Sequence, residues 1–274
     1  MRKTIVFIHL IISIMLTSCY SPKKLYENEV KEFQASTHQA DQLITADCIA
    51  HLPEPVQRYF QYCGFVGTPL SCHAEIMWDD SHIKMKPEGK WMRLRTYQHN
   101  FVNEPARLAY MRANMMGFVP FEGRDRYQGG KGHMFGTLAR LIRVFNADDE
   151  ETAKGAAIVL LAEALLVPAY AIQPYIHWEE TGHLTAKARF IHNGIDVGGV
   201  FHFNERGEYV RFTTTERPFS APKGGYEQQD YTIEVLSYQQ QGEIKIAREV
   251  SAIWNLPDGD FEYWSGTIRK IIFN

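Results

Sequence analysis

From residue 72 onward the apolar residues of this chain recur mostly at every second position, and the pattern persists almost to the C-terminus. A period of 2 belongs to extended strands that bury one face. Residues 72–78, 90–98, 106–115, 133–145, 183–192, 196–204, 208–215 and 231–238 read as strands, with hairpin turns at Asn193-Gly194 and Arg206-Gly207. Ile244, Ile246, Val250, Ala252 and Trp254 share one face of a further strand. Phe261, Tyr263, Ile271 and Phe273 do the same in the last, across a Pro257-Asp258-Gly259 turn. The pattern predicts about ten or eleven antiparallel strands without βαβ alternation. The expected fold is mainly β (α+β), a large curved antiparallel sheet or half-open β-barrel with a few helices on its concave face.

Two segments carry a helical signal. Pro55 suits a first helical turn, Val56, Tyr59, Phe60 and Cys63 follow at helical spacing, and Gly64 ends the run. Residues 155–167 are apolar on every side except at Glu163, and Pro168 stops them. That second helix is too short to span a bilayer, so it must be covered all round by protein, or by a sheet and an apolar ligand together. Residues 20–46, polar with weakly spaced Val30 and Phe33, read as a tether that becomes a helix.

The N-terminus has the composition of an export signal. Arg2 and Lys3 precede an apolar stretch, residues 5–16, and Leu16-Thr17-Ser18-Cys19 closes it. This motif resembles the bacterial lipobox, which implies cleavage before Cys19 and lipidation of its thiol. The expected organisation is a signal peptide at 1–18, a lipid-anchored tether and helix at 19–46, and one β-rich domain at 47–274. Tyr20, where an aspartate would suggest inner-membrane retention, favours an outer-membrane destination in a cell with two membranes. The expected location is the cell membrane or outer membrane, facing the periplasm or the exterior.

Composition narrows the chemistry. The net charge of −3 falls further once Arg2 and Lys3 leave with the signal, and no basic patch stands out, which argues against nucleic acid as a partner. Cys48, Cys63 and Cys72 remain after Cys19, and Cys63 and Cys72 are read either as a disulfide or as buried apolar residues. There is no CxxC or HExxH, the histidines are scattered, and neither a metal nor another cofactor is expected. A GxSxG elbow and a Cys–His spacing are also missing, so no catalytic residue is assigned.

The densest polar cluster is Gly123-Arg124-Asp125-Arg126-Tyr127, followed by Gly129-Gly130-Lys131-Gly132-His133-Met134. It is not a Walker loop, because Lys131 leads through Gly132-His133 into a strand. It reads either as a turn fastened by Arg124 and Asp125, or as the polar rim of a pocket formed with Tyr127. Glu163 in its apolar helix needs a donor, such as Arg124, Arg217 or Arg248, or else a proton. A structural ion pair and a base of raised pKa are both open for it. Met111, Met115, Met116, Phe118 and Phe121, and the tryptophans 78, 91, 178, 254 and 264, suit core packing or an apolar ligand.

The cluster at 123–134, residues 162–168, Trp178-Glu179 and the closing hairpin 254–274 together resemble an uncharacterised bacterial domain-of-unknown-function family over residues 52–274. That family implies no activity. The order of elements also resembles, more loosely, the half-barrels of bacterial lipoprotein carriers and lipid-binding lipoproteins. The first functional reading is an envelope protein that holds a lipid or other amphiphile, with Arg124, Asp125, Tyr127, Leu161, Glu163, Trp178, Arg217 and Trp254 around it. The second is an envelope enzyme centred on Arg124, Asp125 and Glu163. The third is a structural or assembly lipoprotein with a filled core.

Overall fold

A computed structural model describes residues 21–37, 42–115, 117–221 and 224–274. Cys19 and the leader before it lie outside the described residues. Three helices come first, α1 (Pro22–Ser36), α2 (Ala46–Ile49) and α3 (Glu54–Cys63). Six strands follow, β1 (His73–Ile83), β2 (Met92–Phe101), β3 (Ala106–Met115), β4 (Val119–Gln128), β5 (Lys131–Leu138) and β6 (Ile142–Ala147). Helix α4 (Glu150–Ala162) and a 3-10 turn (Glu163–Leu165) then interrupt the strands. The second set is β7 (Ile176–Gly182), β8 (Thr185–His192), β9 (Ile195–Phe203), β10 (Tyr209–Thr214), β11 (Pro218–Ser220), β12 (Tyr226–Gln228), β13 (Asp230–Gln241), β14 (Ile244–Leu256) and β15 (Gly259–Phe273).

Thirteen of these strands form one antiparallel sheet in the order β6-β5-β4-β3-β2-β1-β15-β14-β13-β10-β9-β8-β7, and β11 and β12 form a separate pair. The sheet is two meanders stitched where β1 pairs with β15, from Ala74↔Phe273 to Ile83↔Trp264. β6 and β7 are its two edges and do not pair, so the barrel stays half open. Helix α4 connects those edges and touches β3, β4 and β5 of one wing and β8 and β9 of the other. One helix reaches strands so far apart in the order only because the sheet curls around it.

The local sequence explains the helices. Ser21 caps α1 by accepting from the Lys24 amide at 3.1 Å, and Pro22 supplies its first turn. Asp149 caps α4, accepting from the Thr152 amide at 2.8 Å, ahead of Glu150 and Glu151 in the first turn. α3 ends on Gly64 in the left-handed conformation at φ 73°. Ala157, Ile158, Leu160 and Leu161 of α4 are fully buried in the main core with Val56 and Phe60 of α3 and Phe190, Phe201 and Phe212 of the second wing. The apolar helix is thus covered by its own protein except along a stripe at Glu151, Gly155 and Val159, which stays partly exposed.

Several sequence expectations are corrected. Residues 133–145 form not one strand but the β5–β6 hairpin, turned by Ala139 and Arg140 at φ 51° and 59°. Residues 123–128 are not a turn; they are the second half of β4. The helix expected at 155–167 begins at Glu150 and gives way to the 3-10 turn at Glu163. The segment 22–36 is docked: Tyr26, Val30 and Phe33 form a second core with Phe101, Ala106, Leu108 and Tyr110 on the outer face of the first wing.

Candidate functional site

Strand alternation sorts the polar residues of β4. Asp125 and Tyr127 point inward with Arg107 and Ala109 of β3, whereas Arg124 and Arg126 point outward beneath α1. On the outer face Arg124, almost completely buried, grips both carboxylate oxygens of Glu29, with Nε to Oε2 at 2.7 Å. Arg126 Nη1 donates to the same carboxylate at 3.1 Å, and Arg124 Nη1 meets His133 Nδ1 at 2.9 Å. This bidentate pair holds α1 to the sheet.

The inner face carries a second network. Glu163 accepts from Arg107 Nε at 2.9 Å, from Gln98 Nε2 at 2.9 Å and from Asn100 Nδ2 at 2.8 Å. Arg107 Nη1 reaches Asp125 Oδ2 at 2.8 Å, and Trp78 Nε1 donates to Gln98 Oε1 at 3.1 Å. Burial alone would weaken the charge on Arg107, but the carboxylates of Glu163 and Asp125 outweigh it and hold the guanidinium protonated. The donor to Glu163 is therefore Arg107, not Arg124, Arg217 or Arg248. Only the register of β3, invisible in the sequence, places Arg107 under the end of α4.

Burial works against the charge on Arg217, but the neighbouring Tyr231 and Tyr263, followed by the Asp125 carboxylate, outweigh it and hold the guanidinium protonated. Its guanidinium stacks 4.2 Å from the Tyr231 ring, 4.7 Å from Trp254 and 5.7 Å from Tyr263. Nη1 donates to the Tyr263 hydroxyl at 3.1 Å, Nε is buried without a partner, and Arg217 forms no ion pair among the described residues. A shift in register between Ala252 and Ile253 inserts Tyr263 as the extra residue of β15, so that Tyr263 packs beside Trp254 while Trp264 meets Trp78 edge-on at 4.9 Å.

The inner face is covered unevenly. Row by row across β2 to β5, Asn100, Arg107, Tyr127 and Gly132 lie nearest α4, whose Ala153 backbone comes within 2.6 Å of where a Gly132 Cβ would stand. The next row is Gln98, Ala109, Asp125 and Met134, and the one after it Thr96, Met111, Gly123 and Gly136. These outer rows form a shallow trough, with the Phe145 ring lying over Gly136 and the Trp78 ring over Gly266. Trp78, Met111, Phe121, Phe145 and Trp264 are half-buried there, and Met134 is exposed.

Of the residues singled out in the sequence, Asp125 and Glu163 are thus joined through Arg107, and Arg217 and Trp254 through cation–π stacking. Arg124 is on the other face and cannot share a centre with Asp125 and Glu163. Leu161 has no exposed surface and belongs to the core. Tyr127 is buried against Phe190, its hydroxyl 3.3 Å from His192. Trp178 donates to the Ala171 carbonyl at 2.9 Å and packs on Phe201, far along the other wing. Sequence reasoning missed Arg107, Gln98 and Asn100; the signal available was polar side chains at inward positions of otherwise apolar strands.

Cys48, Cys63 and Cys72 are free thiols, the last two buried. No group of three His, Cys, Asp or Glu positioned for a metal occurs among the described residues. None of the described helices is long and apolar enough to cross a membrane.

A family model matches residues 42–266. The chain belongs to DUF6544, a family of unknown function. No curated protein matches this DUF6544 member. Among solved structures it is similar to a Vibrio parahaemolyticus domain named as an outer membrane lipoprotein-sorting protein, at 12% identity over 81% of this chain and 91% of that one, with a TM-score of 0.38.

Proposed function

We propose that this DUF6544 protein is a lipid-anchored envelope protein that holds an amphiphile on the uncovered part of its inner face. The carrying observation is the trough itself. Small residues at Ala109, Gly123 and Gly136 let the Phe121 and Phe145 rings lie close on the sheet, half-exposed methionine and tryptophan side chains flank them, and Asp125 on the same face lies near Arg217, a half-buried arginine with no ion-pair partner among the described residues. Such a surface suits an acyl chain on the aromatic floor and an anionic head at Arg217, whose half-buried guanidinium keeps its Nε without a partner and gains from a negative one. The leader and the Leu-Thr-Ser-Cys sequence support the anchor at Cys19 and the envelope location. The apolar helix is core rather than lid in this reading, so the ligand lies beside α4 and not beneath it.

The test is native mass spectrometry of gently purified protein, followed by titration with a fluorescent fatty-acid analogue. Met111→Lys puts a charge on the trough floor and is expected to weaken uptake about tenfold, close to 1.4 kcal/mol. Arg217→Met is expected to weaken anionic analogues and spare an uncharged monoglyceride. A folded wild type that takes up no amphiphile at micromolar concentration removes this reading and leaves the structural lipoprotein in its place.

A further inference from the structure

The β1–β2, β3–β4 and β5–β6 connections all fall at the same end of the first wing, because they are alternate turns of one meander. At that rim large apolar side chains face solvent: Phe118 is 76% exposed, Leu141 72%, Met85 69%, Ile142 60% and Trp91 41%. Isolated exposed apolar residues are ordinary, but five on three neighbouring turn tips are not. The same three segments, residues 84–95, 111–122 and 138–145, carry eight Lys and Arg against two Glu, in a chain whose net charge is −3. The basic patch is hidden in the sequence because its parts are dispersed and only the meander gathers them.

Arg95 and Arg112 stand directly opposite each other across β2 and β3, both exposed. Neither has an ion-pair partner among the described residues, whereas the nearby Arg93 and Arg140 are paired with Asp80 and Glu122. Like charges at facing positions of a sheet repel. They line a groove of about 970 Å³ together with Lys86, Lys90 and Trp91. Unpaired cations around a groove, fringed by exposed Phe, Leu, Met and Trp, match an interface that offers phosphates at its surface and hydrocarbon just beneath.

The direction of α1 points the same way. Tyr26 stacks on Tyr110 and Phe33 on Phe101, which lies level with Ala106, so the helix runs away from the β3–β4 turn and its N-terminus is aimed toward the rim. Cys19 is two residues before Ser21, at most about 7 Å of chain.

We infer that this rim docks on an anionic phospholipid bilayer, with the apolar turn tips entering the headgroup region and the Arg95–Arg112 pair taking lipid phosphates. Docking is a property of the folded domain and is independent of both the trough and the lipid on Cys19. Residues 21–274 contain every helix and strand above and both cores, and are the form to test, against vesicles of phosphatidylcholine alone or with 30% phosphatidylglycerol. The expected result is co-sedimentation with the anionic vesicles that 0.5 M salt reverses, and quenching of tryptophan emission by brominated lipid that Trp91→Phe reduces. Arg95→Gln with Arg112→Gln, both exposed changes, is expected to lower the partition coefficient about 25-fold at an unchanged melting temperature. Phe118→Ser is expected to lower it as well. Absence of vesicle binding, equal binding to neutral vesicles, or wild-type partitioning of the double variant overturns the inference. None of those results touches fatty-acid uptake, which reads the trough alone.

Discussion

Arg124 and Asp125 are adjacent in the chain and serve opposite faces of the sheet: Arg124 clasps Glu29 of α1 outside, and Asp125 binds Arg107 inside. A single peptide bond separates two buried charge networks that have no side chain in common. The arrangement follows from β4 being covered on both faces, by α1 on one and by the inner network near α4 on the other. A strand covered in this way cannot show an apolar–polar alternation, and it fills with whatever each covering requires.

The two networks are expected to fail independently. Arg124→Met leaves the Glu29 carboxylate without its closest partner and should raise hydrogen exchange across α1 while the Glu163 region stays protected. Asp125→Asn should leave α1 protected. Exchange read by mass spectrometry decides it, and a rise across α1 in both variants refutes the separation.

Glu163→Gln keeps the shape but directs an amide at donors that already point inward from Gln98, Asn100 and Arg107. Breaking a buried pair by removing one charge costs about 3–5 kcal/mol, and Asp125 retains part of the hold on Arg107, so the lower end is expected. Urea denaturation measures it. An unchanged midpoint would mean that the carboxylate contributes nothing to the fold.

Gly132→Ala places a methyl 2.5 Å from the Thr152 carbonyl and 2.6 Å from the Ala153 backbone, neither of which can rotate aside. Overpacking of this kind costs about 1–3 kcal/mol. Gly136→Ala meets only the Phe145 ring, which can swing away, and is expected to cost less. Melting temperatures that rank the two the other way contradict the close approach of α4 to β5.

His73 and His99 contact each other through ring nitrogens at 2.8 Å, and burial pushes each from 6.5 down to about 4. The unfolded chain then binds more protons than the folded one between those values. Stability is expected to be complete above pH 6.5 and to fall as the pH drops toward 4, by at most about 1.4 kcal/mol per unit for each histidine. His73→Phe, stacked on Phe101 as the imidazole is, should flatten that slope. A slope equal to that of the wild type places the protons elsewhere.

Strands that bury only one face were legible residue by residue. β3 was read with its exact ends, and β8, β9 and β10 within about two residues, because Asn193-Gly194 and Arg206-Gly207 punctuate them and apolar side chains alternate between. The short strands and the doubly covered ones were not. The β5–β6 hairpin turns on Ala139 and Arg140, which carry none of the usual turn chemistry, and so two strands read as one. For the candidate site, the need of Glu163 for a cation or a proton followed from an acid in an apolar helix, whereas Arg217 and Trp254 were named separately and their stacking is set by the fold. The identity of Arg107 did not, since which of many arginines answers a distant carboxylate is set by register.

The pairing of β1 with β15 joins the first strand of the chain to the last. Each wing can begin as a set of neighbouring hairpins, but the seam between the wings has no partner until the final residues are present. A chain made from its N-terminus would therefore wait with one edge of β1 unpaired while almost the whole domain follows it, exposing that strand edge until β15 arrives. Truncation that removes β15 should here leave two half-sheets prone to aggregate, and a nascent chain should stay sensitive to protease until its last strand has been made.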